Sequence, residues 1–282
     1  MDIQKIKSQF PILKQKNRGK KLIYLDSAAT SLKPLSVIEG ESDFYKNSYG
    51  SIHRSVYELG EKATNAFEGT RNKVAKFIGS KHSSSIIFTK GATESINLVA
   101  DSWGFSNLRK NDIVLISEME HHSNIVPWQV ITKRTGAILK YISVKEDGTL
   151  DMESLKSKLT DKVKILSITQ ASNVLGTINP MKEIINLAHQ NNTLVMVDGC
   201  QSTPHFKIDV QELDCDFFAF SGRSILNLFS SFYYAVPVWG NNLFRQSLSA
   251  FLIGFLGNKG LDSVNDWTLH TKLNSSIQML QA

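Results

Sequence analysis

From Asp26 to Ser221, short apolar runs alternate with amphipathic stretches, and that rhythm restricts the chain to one architectural class. The runs Ser85–Thr89, Asp112–Ser117, Ile138–Ser143, Val163–Thr169, Leu194–Asp198 and Asp216–Ser221 predict strands. The stretches Leu35–Tyr45, Glu58–Gly79, Thr93–Ser102, Ser123–Thr135 and Met181–Gln190 predict helices. Strand, helix, strand at these intervals argues an α/β fold, a mostly parallel sheet with helices on both faces. Such a sheet binds ligands beyond the carboxyl ends of its strands. The chemically informative residues fall there: Gly91, His121, Asn173, Asp198 and Ser221. No internal repeat or low-complexity segment interrupts the pattern.

Composition narrows the function classes. The net charge of +6 is spread along 282 residues, with no basic run interleaved with aromatics, so a nucleic-acid partner is not expected. The two cysteines, Cys200 and Cys215, lack metal-ligand spacing, so no metal site is expected. They also imply no disulfide framework, which fits a reducing cytoplasm. Met1–Lys5 opens no apolar leader. No charge lies between Arg223 and Arg245, but Asn227, Ser230, Ser231, Pro237, Gly240, Asn241 and Asn242 make that interval a poor membrane span.

Three segments carry candidate chemistry. In Thr89-Lys90-Gly91-Ala92-Thr93, a strand passes into a helix through glycine, and free N–H groups at a helix start attract anions. A purely structural turn with a threonine cap has the same pattern. In Glu118-Met119-Glu120-His121-His122, an imidazole at a strand end can lie flat on an aromatic ring or shuttle a proton, and a surface histidine pair is the plainer reading. In Val197-Asp198-Gly199-Cys200-Gln201, an aspartate ends a buried apolar strand, which is costly unless it is paired. A protonated pyridine nitrogen is one suitable partner, and a helix-capping role is the alternative. Cys200 reads as a small buried apolar residue rather than a nucleophile.

Together these segments carry a resemblance. Residues 1–222 resemble the cysteine desulfurases of the class V aminotransferase group, the SufS-like subgroup that supplies sulfur for iron–sulfur cluster assembly. The match includes Tyr24-Leu25-Asp26-Ser27-Ala28-Ala29-Thr30, His53-Arg54, Gly91 to Ala100, Met119 to Gln129, Ser172 to Thr177, Val197-Asp198-Gly199 and Asp214 to Gly222. The resemblance implies the large domain of fold type I enzymes that use pyridoxal phosphate (PLP), and a homodimer. It implies L-cysteine as substrate, with its sulfur passed as a persulfide to an acceptor protein. His121 would stack on the pyridine ring and move protons, Asp198 would pair with the ring nitrogen, and Gln201 would reach the phenolic oxygen. Ala92, Thr93 and Ser221 would meet the phosphate. Asn173, Ala28 and Ala29 would face the substrate.

The resemblance fails after Gly222. The family's Ser-Gly-His-Lys stands here as Ser221-Gly222-Arg223-Ser224, so serine occupies the position of the Schiff-base lysine. A hydroxyl can neither form an imine nor serve as the amine base. PLP is then expected to bind noncovalently at best, with Arg223 contacting the phosphate in place of the family's histidine. Residues 223–282 hold six charged side chains and no glutamate, about half the charge density of the whole chain, and no clear helix or strand period. They match no part of the family's small domain, with its substrate-binding arginine and persulfide cysteine. The expectation is a large domain over 1–222, an anomalous tail over 223–282, and a truncated, inactive copy. Shifting the reading frame by one base lets codons for Gln278–Ala282 read Pro-Asn-Val-Ala-Gly, a family-like segment, which points to a frame slip near codon 222. A repurposed binding protein and another class V enzyme, such as a selenocysteine lyase, are the alternatives.

Overall fold

The computed structural model describes residues 2–53 and 55–222, and the backbone of 236–240. Arg223 and Ser224 therefore lie outside the described residues, as does the rest of the tail.

The chain begins with α1 (Ile3–Ser8), whose first N–H groups donate to the Asp2 carboxylate at 2.9 and 3.1 Å. A small hairpin follows, β1 (Lys16–Asn17) and β2 (Lys20–Lys21), turning through Arg18 and Gly19, both at positive φ. Helices α2 (Leu35–Asn47) and α3 (Glu58–Phe77) precede the main sheet. That sheet contains β3 (Ile86–Thr89), β4 (Ile113–Ser117), β5 (Ile138–Ile142), β6 (Val163–Thr169), β7 (Leu194–Asp198), β8 (Phe217–Ala219) and β9 (Val236–Gly240), in the spatial order β3-β9-β8-β7-β6-β4-β5. The run from β8 to β5 is parallel throughout. β9 is antiparallel to both its neighbours, β3 and β8.

The crossovers carry α4 (Ala92–Val99), continued through a π turn at Ala100–Gly104 into α5 (Phe105–Asn107), then α6 (Val126–Thr135), α7 (Met152–Lys158), α8 (Met181–Gln190) and α9 (Val210–Leu213). Strand side chains alternate between the two faces, and each face has its own core. Leu115, Leu166, Ile168, Val195, Val197 and Phe218 pack with Ile184 and Ile185 of α8 and Val74 of α3. Val114, Ile116, Ile165, Met196 and Phe217 pack with Ile96 of α4 and with Trp128 and Ile131 of α6. Helices thus cover both faces, as the alternating pattern requires.

The bounds expected for β6, β7 and α8 coincide with those observed, and the other expected elements differ by a few residues at their ends. Two elements correct the sequence reading. Helix α7 forms around an Asp151 cap, whose carboxylate accepts the Glu153 and Ser154 N–H groups at 3.0 and 3.1 Å. The segment 223–282 does contain a strand: β9 lies between β3 and β8, where each flanking strand offers it a row of backbone donors and acceptors. Among the described residues, no helix is long and apolar enough to cross a membrane.

Candidate active site

The site forms where β4, β6, β7 and β8 end. Asp198 is the last residue of β7 and is 3% exposed. Its Oδ1 accepts the Cys200 N–H at 2.9 Å, and its backbone carbonyl accepts the Gln170 N–H at 2.9 Å. Burial pushes its carboxyl pKa up, while the Cys200 N–H and thiol and the nearby His121 imidazole act the other way. The His121 imidazole thus lies near enough to act on Asp198 across the strand ends, although β6 separates β4 from β7.

His121 follows β4 and is exposed. Its Nδ1 accepts the Ser123 N–H at 3.2 Å and lies 2.7 Å from Ser123 Oγ. With Nδ1 accepting, the neutral ring carries its proton on Nε2. Beneath it lies Glu120, a buried carboxyl that sequence reading did not single out. Glu120 accepts from Ser117 Oγ, from the Thr169 N–H at 3.0 Å and from Asn124 Nδ2 at 2.7 Å. Burial pushes its pKa up to about 7 against those three donors, with the Asp198 charge adding to the rise.

Gln201 joins the site to the N-terminal segment: its Nε2 donates to the Ala28 carbonyl at 3.1 Å. Ala29 sits beside it, in a turn where the Ala29 and Thr30 N–H groups converge on the Asp26 carbonyl at 3.2 and 3.1 Å. Ala92 and Thr93 are the first two residues of α4, Ala92 buried and Thr93 exposed. Their N–H groups belong to the turn that has no acceptor within the helix. Ser221, just past β8, hydrogen-bonds the Cys200 sulfur through its backbone. The Cys200 thiol is pushed well above its ordinary pKa by burial and by Asp198, so it is not a poised nucleophile. Asn173 is exposed on the loop after β6, a turn held by Ser172 Oγ, which accepts the Val174 and Leu175 N–H groups at 3.3 and 3.1 Å.

The structure thus brings Asp198, His121, Gln201, Ala28 and Ser221 to one end of the sheet, with Ala92 and Thr93 at the end of β3. Asn173 is exposed on the loop that follows β6. Glu120 was legible only as part of the Met119–Gln129 segment, since Thr169, which helps to enclose it, comes from another strand. Among the described residues, no group of three or more His, Cys, Asp or Glu side chains could hold a metal ion.

The chain is similar in sequence and in fold to known proteins. A probable cysteine desulfurase of Halalkalibacterium halodurans is 51% identical over 225 residues, covering 80% of this chain and 55% of that protein. A cysteine desulfurase of Escherichia coli strain K12 is 46% identical over 223 residues, 79% of this chain and 55% of that one. The chain thus spans about half the length of the relatives it matches. Among solved structures, a cysteine desulfurase of E. coli superposes with a TM-score of 0.76 at 34% identity, over 88% of this chain and 60% of that one. The apo cysteine desulfurase of Thermococcus onnurineus gives 0.78 at 30%, over 88% and 59%. With the aminotransferase class-V family model matching residues 23–227, this chain belongs to that family, whose members use pyridoxal phosphate.

Proposed function

We propose that this chain keeps the cofactor cradle of a cysteine desulfurase and holds PLP without a covalent bond. The observation that carries this reading is Asp198, a buried carboxylate at a strand end that lies within the field of His121. A desolvated carboxylate favours a cation, and a protonated pyridine nitrogen is one. PLP, when bound, supplies an electron sink for bond changes next to an amino group. Asp198 would keep the proton on the ring nitrogen. His121 would cover the ring and exchange a proton at Nε2. The N–H groups of Ala92 and Thr93, with Ser221 and Arg223, would hold the phosphate. Gln201 has a second amide hydrogen for the phenolic oxygen, and Ala28, Ala29 and Asn173 would border the amino-acid substrate.

The substrate of this lineage is L-cysteine, with sulfur passed to an acceptor protein for iron–sulfur cluster assembly. With Ser224 at the lysine position, the chain lacks the amine that moves the Cα proton, so cysteine turnover falls by orders of magnitude. Exposed apolar side chains such as Leu25, Val56 and Val174 suit burial against a second copy. Neither Cys200 nor Cys215 is in a disulfide, which suits the cytoplasm.

Dialysis tests the reading. Purified protein loaded with PLP should shift the cofactor's absorption, lose it on dialysis and release no sulfide from cysteine. Borohydride reduction that fixes the cofactor to a lysine of this chain would overturn the noncovalent hold. A spectrum of PLP unchanged by the protein would remove the cradle itself.

We also read residues 1–222 as the large domain and 223–282 as the product of a frame slip. The family match ends at residue 227, and the low charge density begins just before it. A strand asks only for backbone donors and acceptors, so β9 is compatible with either origin. Resequencing decides: codons with no family-like reading in either shifted frame would end the frame-slip idea.

A further inference from the structure

The segment Met119–Gln129 gives His121 a role but leaves Glu120, Asn124 and Trp128 without one, and these three are buried. Glu120 touches three pieces of the fold: Ser117 at the end of β4, Asn124 in the turn before α6, and the Thr169 N–H at the end of β6. Asn124 is fixed in orientation. Its Oδ1 accepts Trp128 Nε1 at 3.1 Å and Ser167 Oγ at 2.6 Å, so its amide hydrogens must face Glu120. Thr169 pairs in register with Asp198 across β6 and β7. One carboxyl therefore links the turn that carries His121 to the strand beside Asp198. A buried carboxyl costs more than an apolar side chain of its size, so packing alone does not explain it.

We propose that Glu120 is a positioning residue: its bonds to Ser117, Asn124 and Thr169 set where the His121 ring stands relative to Asp198. The claim rests on the PLP reading for its purpose, but its geometry can be tested with or without the cofactor.

Three variants suffice. Glu120→Ala removes all three bonds. Glu120→Gln keeps the size but turns an acceptor toward Asn124 into a donor, and Asn124 cannot flip without abandoning Trp128 and Ser167. The double exchange Glu120→Gln/Asn124→Asp moves the carboxylate to position 124, where it can accept from the new amide on one side and from Trp128 and Ser167 on the other. Two quantities are read: the dissociation constant and absorption spectrum of PLP, and the 15N and 1H signals of the His121 ring in the apo protein.

Both single variants should weaken PLP by about tenfold, with the double exchange recovering most of the loss, since each breaks buried charge-assisted bonds that the exchange restores. The His121 signals should move in the single variants and return in the double one. Glu120→Gln serves where Glu120→Ala fails to fold. If the single variants melt earlier yet keep wild-type PLP affinity and His121 signals, Glu120 only stabilises the fold and the proposal is wrong. If the parent chain binds no PLP, the cofactor reading fails, and the His121 signals still decide whether Glu120 positions the ring.

Discussion

The Gln201 side chain donates to the Ala28 carbonyl across 3.1 Å, joining two positions 173 residues apart in sequence. The segment around Ala28 has no strand or helix of its own, and Ile23 and Leu25 point outward. This long-range hydrogen bond thus ties the segment around Ala28 to the turn that follows β7. Gln201→Ala should speed amide hydrogen exchange of residues 24–30 while leaving the sheet protected, with a stability loss of only about 1 kcal/mol. Exchange measured by mass spectrometry checks it, and unchanged exchange in that segment would show the bond to be incidental.

Asp198 carries a cost that binding would relieve. Asp198→Asn keeps the shape and an acceptor for the Cys200 N–H but removes a desolvated carboxylate. The apo variant should therefore melt no lower than the parent at neutral pH, with the difference fading below the ordinary carboxylate range. Its PLP affinity should drop at least about tenfold, because an amide cannot neutralise a ring cation. Melting curves and a PLP titration give both numbers, and a variant that binds as tightly as the parent would argue against a charge pair at this residue.

Glu120 predicts a pH dependence whose sign can be worked out. Its folded pKa is pushed up to about 7, above its unfolded value. The folded chain then binds a proton that the unfolded chain lacks over that interval. Stability is greatest below the unfolded pKa, falls as pH rises, and levels off above about 7, a decline of roughly 3 kcal/mol from this group. Glu120→Gln should flatten that decline. Urea midpoints at about pH 5 and pH 8 test this; Asp198 titrates in both proteins, so only their difference reports on Glu120.

Gly199 follows Asp198 directly, and a Cβ there would stand 2.2 Å from Cζ of Phe218, a fully buried ring. Gly199→Ala must displace that ring or the strand end, so a loss of about 1–3 kcal/mol is expected. Because the strain falls beside the carboxylate, PLP affinity should fall with the melting temperature. A variant stable and fully able to bind would place the slack elsewhere.

How much of this was legible before coordinates depended on where each signal lay. β7 could be bounded because Leu194–Val197 is an unbroken apolar run ended by Asp198, and β6 because Val163, Ile165, Leu166 and Ile168 keep it mostly apolar up to Thr169, the mark of strands buried on both faces. β9 could not, because Pro237 interrupts it and proline argues against a central strand; its register sets Pro237 opposite Phe88. α7 is short and charged, with one buried residue, Leu155, so it shows little periodicity. Within the site, Asp198 and His121 were readable because each ends or follows a strand. Glu120 was not, because a charged residue in a polar stretch reads as surface until Ser117 and Thr169 are seen to enclose it.

The placement of β9 has a consequence for how the molecule is made. Among the described residues, β3, the strand that leads into Ala92, is hydrogen-bonded to the rest of the sheet through β9, which is translated after the other described strands. While the chain is still emerging from the ribosome, β3 and β8 have no strand between them, and the Ala92 turn is held by the packing of α4 into the core it shares with Phe217 and Met196 rather than by ladder hydrogen bonds. Only when residues 236–240 arrive does backbone pairing run without a gap from β3 to β8.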